Sequence, residues 1–205
     1  MKNSASGGVE TSINIAAAPV GVHGKRLRLG LFGAALGLAI LFSVLLPTQK
    51  AGARSRAQIA NQAAPSVVTD YEARLATSIN AVRRRHGLCR LKVVPQLMRS
   101  ANGHSLQMAH RGFFSHNSAN GASFFARIQR FYASRGAGEN LLWAESGIRS
   151  SQVVVRWLNS PAHRAILLSR LWNVLGVGVV KDMRGPGVYG GHAVLVITAD
   201  FAVRH

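Results

Sequence analysis

Residues 70–205 contain only six carboxylates, Asp70, Glu72, Glu139, Glu145, Asp182 and Asp200, so acid–base or metal chemistry in this stretch has few places to reside. Glu139 is the one that draws attention. It is the only charge in Gly136-Ala137-Gly138-Glu139-Asn140-Leu141-Leu142-Trp143, and a carboxylate that leads into an apolar segment must be exposed, paired or hydrogen-bonded. Its structural reading is a side chain tying a glycine-rich turn to backbone amides. His116, flanked by Phe113 and Phe114 and by Asn117, falls in a loop where a side chain is well placed to line a cleft. His163, in Ser160-Pro161-Ala162-His163, falls in the first turn of a helix, where the dipole disfavours protonation. A neutral imidazole can ligate a metal or act as a base. The competing reading is a ring packed at the helix start with Arg164 turned to solvent. His104 shares a helix face with Ala101 and Met108 and reads as a core histidine with its nitrogens satisfied by protein groups.

Several chemistries are excluded by what the chain lacks. It has no G-x-S-x-G elbow, no H-E-x-x-H pair, no P-loop and no dinucleotide-binding glycine fingerprint. Its single cysteine, Cys89, precludes a disulfide within one chain and reads as a partly buried residue after a helix. The chain has 205 residues and a formal net charge of +18, with 25 Lys and Arg against 7 Asp and Glu. This balance favours encounters with polyanions or anionic lipid. The basic residues are scattered and accompany no zinc-finger or RNA-binding signature, so no nucleic-acid partner is expected.

The elements that must position these residues follow from periodicity and punctuation. Thr69 and Glu72 have capping-box spacing, and Tyr71, Leu75, Ile79 and Val82 recur at helical intervals, which predicts a helix over about 70–86 ending at Gly87. Pro95 opens a second helix closed by Gly112, a third fits Ser123–Tyr132 with Phe124, Ile128 and Phe131 as its apolar side, and a fourth spans Ser150–Leu158. Ser160 and Pro161 start a further helical turn. The β-branched runs Val174–Val180 and Ala193–Ile197, with Gly-rich punctuation between them, predict an antiparallel pair.

Ahead of this domain, residues 1–28 are polar and read as disordered, at most a cytoplasmic tail or signal n-region. Residues 29–46 are 18 uncharged, mostly apolar residues, enough for a signal-peptide core or a membrane anchor. Ala51-Gly52-Ala53 matches a cleavage site, so a cleaved signal and an uncleaved anchor both stand. Residues 47–68 read as a linker and 69–205 as the domain. The expected location is secreted, or membrane-anchored through 29–46 with the domain outside the cytoplasm.

Five blocks occur in an order that resembles a known family. They are SINAVRRRHGLCRLKVVPQL, ANGHSLQMAHRGFFSHNSANGASFFARI, GAGENLLWAESG, VVVRWLNSPAHRAILLS and WNVLGVGVV. Over roughly residues 70–202 the chain is similar to the bacterial branch of the CAP superfamily, the SCP domain of cysteine-rich secretory, antigen 5 and pathogenesis-related proteins. The resemblance implies an α+β fold, a three-layer α-β-α sandwich with a small antiparallel sheet. It also implies a cleft that in eukaryotic members carries two histidines and two glutamates, sometimes with zinc or another divalent cation. His116 matches the first histidine and Glu139 the glutamate of the G-E-N block. The second glutamate is missing, since Trp157-Leu158-Asn159-Ser160 stands where the family reads W-x-x-E, and the G-H-Y-T-Q histidine is absent, with His163 as its substitute.

The cleft expected from this resemblance is His116, Glu139 and His163, with Asn140, Ser160 and His104 around them. His116 and His163 are the expected ligands of a weakly held zinc or other divalent ion. With half of the four cleft residues missing, the chain reads as a non-enzymatic extracytoplasmic module that binds a lipid, an anionic cell-surface polymer or a protein. The alternative is a metal-dependent hydrolase or peptidase using Glu139 as general base.

Overall fold

Glycine spacing decides how closely the layers of this domain can approach. In the fourth strand, Val174-Leu175-Gly176-Val177-Gly178-Val179-Val180, the glycines alternate with branched residues, so one face is bare backbone. A Cβ added at Gly176 would lie 2.1 Å from the Leu97 carbonyl carbon, and one at Gly178 would lie 2.2 Å from the Asn102 nitrogen. The second helix therefore rests directly on this strand.

The structure, a computed structural model, describes residues 16–17 and 67–204. The apolar segment 29–46 and the linker up to residue 66 lie outside the described residues. Among the described residues no helix is long and apolar enough to cross a membrane. The elements are β1 (Ala16–Ala17), α1 (Val67–Arg85), β2 (Lys92–Val93), α2 (Pro95–Arg111), α3 (Phe124–Phe131), β3 (Gly136–Glu145), α4 (Ser150–Asn159), α5 (Pro161–Leu167), β4 (Val174–Asp182) and β5 (Val194–Ala202). The described strands form one sheet in the order β1-β3-β5-β4-β2. β5 pairs antiparallel with both β3 and β4, as expected for an antiparallel core. β2 departs from that expectation by pairing parallel to β4 at the edge.

Alternation along the strands sends side chains to two helical layers. Leu142, Ala144, Leu175, Val177, Val179, Leu195, Ile197, Ala199 and Phe201 pack with Leu75 and Ile79 of α1, Trp157 of α4 and Ile166 of α5. On the opposite face Ala137, Leu141, Val174, Val194, Val196 and Ala202 meet α2 and α3 in two smaller clusters. This is the α-β-α sandwich read from the sequence.

Helix limits follow the expected punctuation with three corrections. Gly112, at φ +67°, closes α2, and the Ser123 hydroxyl caps α3 by accepting from the Ala126 N–H. α1, however, begins at Val67, so Thr69 is already helical and no capping box opens at Thr69. Glu72 instead turns inward and accepts from the Val179 N–H. Phe131, expected on the buried side of α3, is 39% exposed, and Arg127 takes the buried position. Cys89 is exposed rather than partly buried.

Candidate functional site

The glycine-rich entry to β3 sets Glu139 between two layers of donors. Glu139 and Asn140 are consecutive strand residues, so their side chains leave β3 on opposite faces. Glu139 faces α2 and α3 and is buried. His116, in the loop after α2, donates from Nδ1 to Glu139 Oε1 at 2.8 Å. The guanidinium of Arg127 in α3 pairs with Glu139 Oε2 through Nη2. Its Nη1 also donates to the His116 carbonyl and to Ser118 Oγ, both at 3.1 Å. Arg127 thus holds both the carboxylate and the loop that carries its histidine partner.

Asp200 completes this cluster. It lies directly across from Glu139 in the β3–β5 register and is fully buried. Among the described residues, Ser100 of α2 and Glu139 are the polar side chains that interact with the Asp200 carboxyl, and no backbone N–H or cation pairs with it directly. Burial, and then the neighbouring Glu139, push the Asp200 carboxyl well above the usual range. Burial likewise raises Glu139 to about 7, with Arg127 opposing. Two adjacent buried carboxyls beside one guanidinium cannot both ionise cheaply. Asp200, buried beside a carboxyl that takes the ion pair with Arg127, is the one that keeps a proton.

The remaining expected residues form a second hydrogen-bonded group. Asn140 Nδ2 donates to the His163 carbonyl at 3.0 Å, tying β3 to α5. The His163 ring is buried in the first turn of α5, with Nδ1 2.8 Å from Ser160 Oγ, while Arg164 is exposed. The two groups are joined through the Glu139–Asn140 peptide of β3. His104 belongs to the first group: its Nε2–H donates to the Ser115 carbonyl at 2.8 Å, just before His116. Among the described residues its Nδ1 finds no hydrogen-bond partner, which corrects the expectation that both nitrogens are satisfied. Burial foremost, with Arg127 adding to it, lowers His104 to about 3, so this ring is neutral.

Arg127 and Asp200 are the members that sequence reasoning did not single out. A signal existed for each. Arg127 falls three residues after Phe124 and one before Ile128, on the apolar side of α3, and Asp200 is the only charge in a β5 strand that is buried throughout.

As a donor set these residues do not fit a resident metal. One Glu139 oxygen is engaged by His116 and the other by Arg127. Among the described residues no three His, Cys, Asp or Glu side chains converge to hold an ion. What the cluster can do chemically is fix a loop, exclude water and store one proton.

Comparisons agree with this architecture. The family model described as the cysteine-rich secretory protein family, CAP, matches residues 77–198. The uncharacterised protein YkwD of Bacillus subtilis is 33% identical over 134 residues, covering 65% of this chain and 51% of its own length. The uncharacterised membrane protein YlbC of the same organism is 33% identical over 114 residues, covering 55% of this chain and 32% of its own. The chain thus spans about half or less of these relatives. Among solved structures, an extracellular protein containing a SCP domain from Bacillus anthracis is 27% identical with a TM-score of 0.55, over 75% of this chain and 45% of that one. An outer surface protein of Borrelia burgdorferi, 20% identical, superposes with a TM-score of 0.56 over 67% of this chain and 96% of its own, and shares the fold alone.

Proposed function

Because this chain belongs to the CAP family of cysteine-rich secretory proteins, we propose that it is a non-enzymatic binding module working outside the cytoplasm, with a lipid, an anionic cell-surface polymer or a protein as its ligand. The observation that carries this reading is the state of Glu139. A general base must reach a substrate proton, whereas this carboxylate is 1% exposed and each of its oxygens is already held, one by His116 and the other by Arg127. The network supports a rigid loop over the sheet, which suits recognition better than turnover. An extracytoplasmic setting is supported by the apolar stretch 29–46, the extracellular SCP protein of Bacillus anthracis and the membrane protein YlbC. Residues 70–205 carry 18 Lys and Arg against 6 carboxylates, a balance that favours an anionic ligand.

The competing reading, a metal-dependent hydrolase with His116 and His163 on zinc and Glu139 as base, requires Glu139 to free an oxygen now held by Arg127 or His116. Native mass spectrometry of the full chain with lipid extracts and cell-wall fragments, with and without zinc, separates the two. The binding reading predicts a retained, chemically intact adduct. Zinc-dependent appearance of cleaved fragments, lost in Glu139→Gln, would establish the hydrolase instead.

A further inference from the structure

At the edge of the sheet opposite β3, two hollows of about 420 and 380 Å³ share Glu72 and Met98 as a common wall. Ala73, Ala76, Leu91 and Val93 line the first, and Asn102, Gly103 and Leu106 the second. Together they make a groove between α1 and the β2–α2 segment. Its apolar rim is exposed, with Val93 at 40% and Leu106 at 44%. The exposed side chains Arg90 and Arg99 stand one at each hollow.

Two polar features face this apolar groove. Glu72 is only 4% exposed, and its Oε1 already accepts from the Val179 N–H at 3.1 Å and from Asn102 Nδ2 at 3.2 Å. Among the described residues no donor meets its second oxygen, and Glu72 lines both hollows. β2 supplies the other feature. The N–H groups of Lys92 and Val94 donate toward β4, to Asn173 and Leu175. By the alternation of a parallel ladder, the N–H and C=O of Val93 then lie on the outer edge, beside the first hollow. We infer that this groove binds a short extended peptide with small apolar side chains and an acidic flank, pairing its backbone with the Val93 edge and giving an N–H to Glu72. An acyl chain fits the same hollows less well, because it would bury the second Glu72 oxygen without a donor. Strand addition of this kind draws affinity from main-chain hydrogen bonds and specificity from alternate side-chain pockets. Arg90 and Arg99 match an acidic flank.

This groove is distinct from the Glu139 carboxylate, since β5 and β4 lie between β3 and β2 in the sheet, and it can fail while the proposed binding function stands through another surface. The test is calorimetric titration of the full chain with the probe acetyl-Ala-Val-Ala-Asp-Glu-amide, its backbone N-methylated counterpart, and laurate. Saturable binding of the probe is expected, with loss on N-methylation, weakening of about tenfold or more in the groove-filling variant Ala73→Trp, and a smaller loss in Arg90→Glu. Ala73 is exposed, so Ala73→Trp should keep the parent melting temperature, and the equally exposed Thr77→Trp is a second block should it not. Absence of saturable probe binding, binding indifferent to both blocking variants, or displacement of the probe's role by laurate would overturn the inference.

Discussion

Glu139 illustrates how a buried charge shapes what a site can do. Read alone, it was a carboxylate that had to be paired or exposed. The structure pairs it twice, with Arg127 and His116, and sets a second carboxyl, Asp200, across from it. The raised carboxyls mean that the folded state binds protons the unfolded state has released. Their favourable contribution is complete below the unfolded range near about 4. It is lost as pH rises through the folded value, about 7 for Glu139. Asp200→Asn keeps the shape, can donate an N–H to Glu139 and needs no stored proton. Thermal melts between pH 5 and pH 8.5 should therefore show the variant gaining on the parent as pH rises, by about 1–3 kcal/mol at the upper end. A stability gap independent of pH would contradict the stored proton. Glu139 and His116 were legible in the sequence because each is conspicuous in its local context. Arg127 and Asp200 were not, because a charge inside an apolar pattern reads as a surface residue until its partner across the fold is known.

At the scale of the element, punctuation carried more information than propensity. Pro95, Gly112, Ser123 and Pro161 marked helix limits that the structure reproduces. The start of α1 was misplaced because Glu72, three residues after a threonine, imitates a capping box, whereas its carboxyl serves the Val179 N–H in β4. Local spacing cannot reveal a partner 107 residues away. β2 escaped notice for a related reason: two residues held parallel to β4 have no hairpin turn to announce them. The glycines of β4 carry an energetic consequence. Gly178→Val would drive a side chain into the backbone of α2 at Ala101 and Asn102. Chemical denaturation should show a loss of about 3 kcal/mol or more, in the range of severe overpacking. A loss below about 1 kcal/mol would mean that α2 can lift from the sheet without penalty.

For the whole molecule, the sandwich was legible because helices precede strands and each carries its own period, and five blocks in order identified the family. The ligand was not legible, since fold does not fix function. The proposed extracytoplasmic setting rests on the apolar segment 29–46 and has its own test. An epitope placed after His205 should be cleaved by protease added to intact spheroplasts, and its protection would place the domain in the cytoplasm. The claim on which the account turns is that an internal guanidinium, rather than a metal, neutralises Glu139. Zinc titration of the full chain by calorimetry at pH 7, run beside His116→Ala and His163→Ala, addresses that claim directly. The account predicts no saturable zinc uptake by the parent chain and a melting temperature unchanged by chelator. Saturable uptake that each histidine variant abolishes would contradict it and return His116 and His163 to a metal centre.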